Sequence, residues 1–305
     1  MINLPPWAED GSSQVVSEAA SQSHPEPKSS SGQSDSPGQS IYKQDILNLL
    51  KPITEKYARG IQLIADTVAQ ASQAQIPEAV RRCLEAWTMS TQSERLWIQG
   101  VYETTHPSNA TFTAVSLVAL ANNNKIPCLS YFCSLGVHGT LTAQSLTCQD
   151  MLTDMIKSLI VQVLLLLPDD LEMTPTLAPL RFETLLESQV DIEKAMLLFR
   201  DLRVFLPPYI HCVIDAAQEV EDRSDLAHTQ SLCRVLRMIL DIPNKSDKQE
   251  KAHGKVLKGC IMSDGYVDVL GVLAERAYVD KLEVSDTELE EDGPGLISQW
   301  ERHDN

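Results

Sequence analysis

Positive charge is scarce in this chain: 25 Lys and Arg stand against 42 Asp and Glu in 305 residues, a formal charge of −17. Such a surplus of acid speaks against a nucleic-acid partner, whose backbone is bound mostly through cations, and against an anionic membrane surface. Long apolar runs are missing too. The longest, Leu159 to Leu167, is interrupted by Gln162 and falls far short of the roughly 20 residues that span a bilayer. The first residues, MINLPPWAEDG, hold no basic residue and no apolar stretch, so no secretory signal is expected. The seven cysteines form no C-x-x-C pair; buried free thiols in a reducing, cytoplasmic compartment are the expectation. Cys133, His138 and Cys148 lack a fourth ligand and fit no closed zinc spacing, so no metal centre is expected. No G-x-S-x-G elbow supports a serine hydrolase.

What is present is a globular composition, 43% hydrophobic and 22% charged, long enough for a real core. Residues 1–40 are rich in Ser, Gln and Pro and are expected to be disordered, because they bury too little to offset the entropy of ordering. The segment 283–305 reads as an acidic flexible tail. It carries −7 and the first forty residues −4, leaving −6 for residues 41–282. Residues 41–92 read as a helical segment, with Ile46, Leu50, Ile53, Tyr57, Ile61, Ile64 and Val68 on one stripe. Pro52 predicts a break near Lys51, and Pro77 opens a second helix reaching about Ser90.

From residue 93 to 282 short apolar strands alternate with helical segments. RLWIQG, PCLSYFC, YIHCVID and KVLKGCIMSD read as strands, with a last short one in YVDKLEV. This pattern predicts an α/β domain, a mainly parallel sheet sandwiched by helices. Ligands in such sheets bind beyond the carboxyl ends of the strands.

The first of those ends is GVYETTHPSNATFT, where a phosphate loop would lie. In a working G-x-x-x-x-G-K-[ST] loop, glycines let backbone amides curl around phosphate and Lys neutralises its charge. Counted from Gly100, Thr105 replaces the second Gly, His106 the Lys and Pro107 the Ser/Thr. The degenerate phosphate-loop positions are therefore Gly100, Thr104, Thr105 and His106. No Lys or Arg occurs between Gly100 and Asn124. Asp215, ending YIHCVID, resembles the magnesium-positioning Asp of a Walker B strand. The acid that should follow it to orient water is replaced by Ala216, and the next acid is Glu219. Ser263 and Asp264 stand where a sensor would meet the γ-phosphate, and Asp264 would repel it. Glu103, Asp215 and Asp264 together make the mouth hostile to a polyphosphate.

These residues resemble a degenerate P-loop NTPase-like domain found in filamentous-fungal proteins, related to signal-transduction ATPases with NACHT-type modules. Trp97, Ile98 and Gly100 match its W-I-x-G strand. Ser130, Tyr131, Phe132 and Cys133 match its S-Y-F-C strand. Cys212, Val213, Ile214 and Asp215, with Asp222 and Arg223 downstream, match its Walker B-like strand. The resemblance covers roughly residues 41–282. Ala216 departs from the expected Gly, and Ser263-Asp264-Gly265 lacks the final Arg. The resemblance implies a P-loop-like sheet with RLWIQG between YIHCVID and KVLKGCIMSD, and PCLSYF outside YIHCVID. It also implies a non-catalytic module, a pseudo-ATPase without cofactor that contacts a protein partner. The alternative is a weak magnesium-dependent ATP-binding switch.

Overall fold

The structure, a computed structural model, describes residues 43–71, 76–103, 107–133, 146–169, 178–187, 190–241 and 255–284. The tail expected at 1–40 lies outside them, as do His138 and residues 285–305 of the tail expected at 283–305, whereas Glu283 ends the last strand and Val284 is buried. The chain opens with α1 (Lys43–Leu49), α2 (Lys51–Ala71) and α3 (Glu78–Met89). The sheet region then runs β1 (Glu94–Gly100), α4 (Asn109–Asn123), β2 (Cys128–Phe132), α5 (Cys148–Leu166), α6 (Pro179–Glu183) and α7 (Ile192–Arg203). It ends with β3 (Tyr209–Asp215), α8 (Leu226–Ile239), β4 (Val256–Asp264), α9 (Asp268–Glu275) and β5 (Asp280–Glu283). The break that Pro52 demands falls at Leu50, between α1 and α2.

The five strands among the described residues are all parallel, in the order β2-β3-β4-β1-β5. This corrects the expected order. β2 does lie outside β3, but β1 sits between β4 and β5, and β3 does not touch it. The central place goes to β4, whose Gly259 makes room for a neighbour: a Cβ there would meet Leu240 Cδ2 at 2.5 Å. The chain leaving α8 can therefore lie directly on β4.

Alternation along the strands divides the side chains between two helical layers. On one face α2, α3 and α4 cover Leu96, Ile98, Val213, Cys260 and Met262. On the other α5, α7, α8 and α9 cover Trp97, Leu129, Cys212, Ile214 and Ile261. The stripe of α1 and α2 serves both layers. Ile46, Leu50, Ile53 and Tyr57 join the second cluster, Ile64 and Val68 the first, and Ile61, between them, is exposed.

Helix ends are satisfied by opposite chemistries at the two sheet edges. Near the carboxyl edge, Ser108 caps α4, Thr147 and Asp150 form a capping box on α5, and Asp225 caps α8. Glu221 accepts the N–H groups of Asp268 and Val269 at the start of α9 (3.0 and 2.9 Å). Near the amino edge cations take the carbonyls instead. Lys43 Nζ donates to Leu167 O (2.6 Å) after α5, Lys255 Nζ to Leu206 O (2.7 Å) after α7, and Arg95 Nε to Leu240 O (2.6 Å) after α8. Among the described residues no helix is long and apolar enough to cross a membrane.

Candidate functional site

The carboxyl edge gathers the ends of β1, β3 and β4. Gly100 and Asp264 are cross-strand partners, and an Asp264 Oδ1 atom lies 3.8 Å from where a Cβ on Gly100 would stand. Ala110, in the first turn of α4, is 3.6 Å from the same point. Asp215 ends β3 with no exposed surface.

The contact that organises this edge comes from a residue of the GVYETTHPSNATFT segment that was not among the expected loop positions. Thr111 Oγ1 donates to Asp215 Oδ2 at 3.0 Å, and Thr111 is as fully buried as Asp215. Ser108 Oγ lies 3.2 Å from Thr111 Oγ1 and accepts the Thr111 N–H, also at 3.2 Å. Helix α4 is therefore capped by Ser108, and Asn109 is its first helical residue. A hydroxyl on the first turn of the helix after β1, facing an acid at the end of β3, is the pairing a phosphate loop and a Walker B strand make. Counted back from Thr111 as the Ser/Thr of that motif, Ala110 falls at the Lys, Asn109 at the second Gly and Thr104 at the first. Thr104, Thr105 and His106 lie outside the described residues.

The start of α4 already holds an anion. Asn109 N–H donates to Glu103 Oε1 at 3.2 Å, so a carboxylate of the same chain sits where the helix dipole would favour a phosphate. The sensor-like residues part company. Ser263 Oγ accepts from Trp97 Nε1 (2.9 Å) and donates to Gly265 O (2.8 Å). Asp264 stays near Gly100, its N–H bound to Gln218 Oε1 (3.1 Å). Ala216 holds the left-handed conformation, φ +53°, which is why a glycine suits that position. Arg223 turns to the α9 cap: it pairs with Glu221 (3.1 Å) and Asp268 (3.4 Å) and donates to Tyr266 O (2.7 Å). Cys133, following β2, is buried; burial first, then Asp215 and Glu219, push its thiol well above the ordinary range. Burial of this kind disfavours the thiolate form.

The fold is α/β, a parallel sheet with helices on both faces. No family model and no curated protein matches the chain. Among solved structures it is similar to the Aeropyrum pernix ORC1 protein, determined in complex with DNA, at 13% identity and a TM-score of 0.38. The match covers 74% of this chain and 50% of that one, so the chain spans about half the length of that protein. Among the described residues no group of three or more His, Cys, Asp or Glu is placed to hold a metal ion, and all seven cysteines are free.

Proposed function

We propose that this domain is a non-catalytic, degenerate P-loop NTPase-like module that acts through protein–protein contacts, a pseudo-ATPase akin to the signal-transduction ATPases. One observation carries the reading: Glu103 accepts the first N–H of α4 while Ala110 stands at the lysine position. The two features that hold a triphosphate, free amides and a cation, are thus replaced by a carboxylate and a methyl group. These residues do not fit a nucleoside triphosphate. Hydrolysis also lacks the acid after Asp215, since Ala216 follows it directly.

A second reading, a weak magnesium-dependent nucleotide switch, is favoured by the Thr111–Asp215 pair, whose hydroxyl and carboxylate are the group types that hold magnesium in P-loop proteins. A thermal melt separates the two. Saturating ATP with magnesium is expected to leave the melting temperature unchanged, and ATP turnover is expected to equal that of buffer. A ligand at about 100 times its dissociation constant would add about 2.7 kcal/mol. Asp215→Asn is expected to fold, because the Asn oxygen still accepts the Thr111 hydroxyl. A wild-type shift that Asp215→Asn abolishes would overturn the first reading for the second.

A further inference from the structure

Two tyrosines stand out of the carboxyl edge near the start of α4. Tyr102 is 72% exposed and Tyr266 45%, yet neither hangs loose. A Cβ on Gly265 would lie 3.9 Å from Tyr102 Cβ, so Tyr102 stands directly against the turn that carries Tyr266. Tyr266 lies across α9 at Gly271, where any Cβ would collide with its hydroxyl and come within 2.5 Å of Cζ. Its ring is 5.7 Å from that of Trp97, and Lys281 Nζ sits 5.4 Å from the Tyr266 centroid and 4.9 Å from the Trp97 one. The Tyr266 ring is thus held in place, which lowers the entropy cost of using it as a contact.

The surround is acidic. Glu103 adjoins Tyr102 in the chain, and the phenol of Tyr266 is raised by burial, then by the carboxylates of Glu275 and Asp268. The two nearby cations are engaged: Arg223 with Glu221 and Asp268, Lys281 with Glu283 at 2.7 Å. The chain's own terminal segments do not complement this charge. Residues 1–40 contain Lys28 as their one basic residue, and residues 283–305 carry −7 with Arg302 alone.

We propose that Tyr102 and Tyr266, framed by Glu103, Asp268 and Glu275, form the docking surface for an arginine-bearing extended segment of a partner protein. This rests on the reading of the module as one that acts through protein contacts. Arginine suits the place because its planar guanidinium stacks on tyrosine while its N–H groups meet carboxylates; Lys281 already makes the intramolecular version of the stack.

Titration calorimetry on the full chain tests it, with a short peptide alternating arginine and proline as the probe and a lysine–proline peptide as its charge-matched control. The arginine peptide is expected to bind more tightly than the lysine one. Tyr102→Ala is expected to weaken it about three- to fivefold, the worth of an exposed cation–π contact, while Tyr102→Phe keeps the affinity. Glu275→Gln is expected to weaken it further at low salt. Equal affinity for both peptides with no effect of Tyr102→Ala would overturn the proposal, as would no binding of the arginine peptide. Neither result touches the non-catalytic reading, which fails only on an ATP-dependent shift.

Discussion

The side-chain amide of Gln162 makes to Ser130 the pair of hydrogen bonds that a neighbouring strand would make. Ser130 N–H donates to Gln162 Oε1 and Gln162 Nε2 donates to Ser130 O, both at 2.7 Å. β2 is an outer strand of the sheet, so these two backbone groups face away from β3. A helix covers that edge and satisfies it, a protection against pairing with foreign strands. The single polar residue in the apolar run of α5 is thereby explained.

Gln162→Leu is expected to destabilise the domain although leucine extends the apolar run. It leaves a buried N–H and C=O of Ser130 without partners, at about 1–3 kcal/mol for each group. Urea unfolding should show a lower midpoint with an unchanged slope. Equal midpoints for wild type and variant would refute this account of the edge.

Glu103→Gln removes the charge at the start of α4 while keeping an acceptor for the Asn109 N–H. The expected loss is about 0.3–1 kcal/mol at low ionic strength, shrinking as salt screens the helix dipole. Melts at low and high salt measure it. A loss independent of salt would assign Glu103 a packing role instead.

His211 ties stability to acidity. Burial and then the neighbouring Lys258 lower its pKa from 6.5 to about 4. It is cross-strand partner to Cys128 on β2 and Lys258 on β4, which is itself paired in register with Glu94. Tyr209 Oη lies 3.0 Å from its Nε2, and the Trp87 ring covers it at 4.9 Å. Lys258 donates to the Trp87 carbonyl and sits 3.6 Å from Glu94. Above pH 6.5 the imidazole is neutral in both states. As pH falls from 6.5 to about 4, the unfolded chain takes a proton that the folded one refuses, so stability declines, by on the order of 3 kcal/mol in total. Urea midpoints across this window should fall less steeply in His211→Gln than in wild type; parallel curves would refute the assignment.

The strands and helices were legible because each is a short apolar run or a 3.6-residue stripe bounded by its own punctuation, as Pro52 and Pro77 illustrate. The strand order was not, because it depends on which edges meet across the chain, and the clearance at Gly259 that seats β4 is silent until Leu240 is beside it. The partner of Asp215 was not legible for a related reason. Counting from Gly100 put a hydroxyl position at Pro107, whereas the hydroxyl that reaches Asp215 is that of Thr111. Ser108, a preferred cap residue three positions earlier, was the available signal. Gly100 and Asp264 are cross-strand partners, Asp215 is met by Thr111, and Ser263 faces Trp97. At Ala216 the residue departs from the pattern while the backbone keeps the glycine-like conformation.

The bare surface of α9 at Gly271 has an optical consequence. Because it lets Tyr266 lie close beside Trp97, light absorbed by the phenol can pass to an indole that is wholly shielded from water and hydrogen-bonded to Ser263. The same indole carries the Lys281 ammonium on its face at 4.9 Å. Anything that draws Lys281 away changes the electric field on the chromophore. Trp97 is therefore a built-in fluorophore for events at the carboxyl edge, sensing a visitor that never touches it.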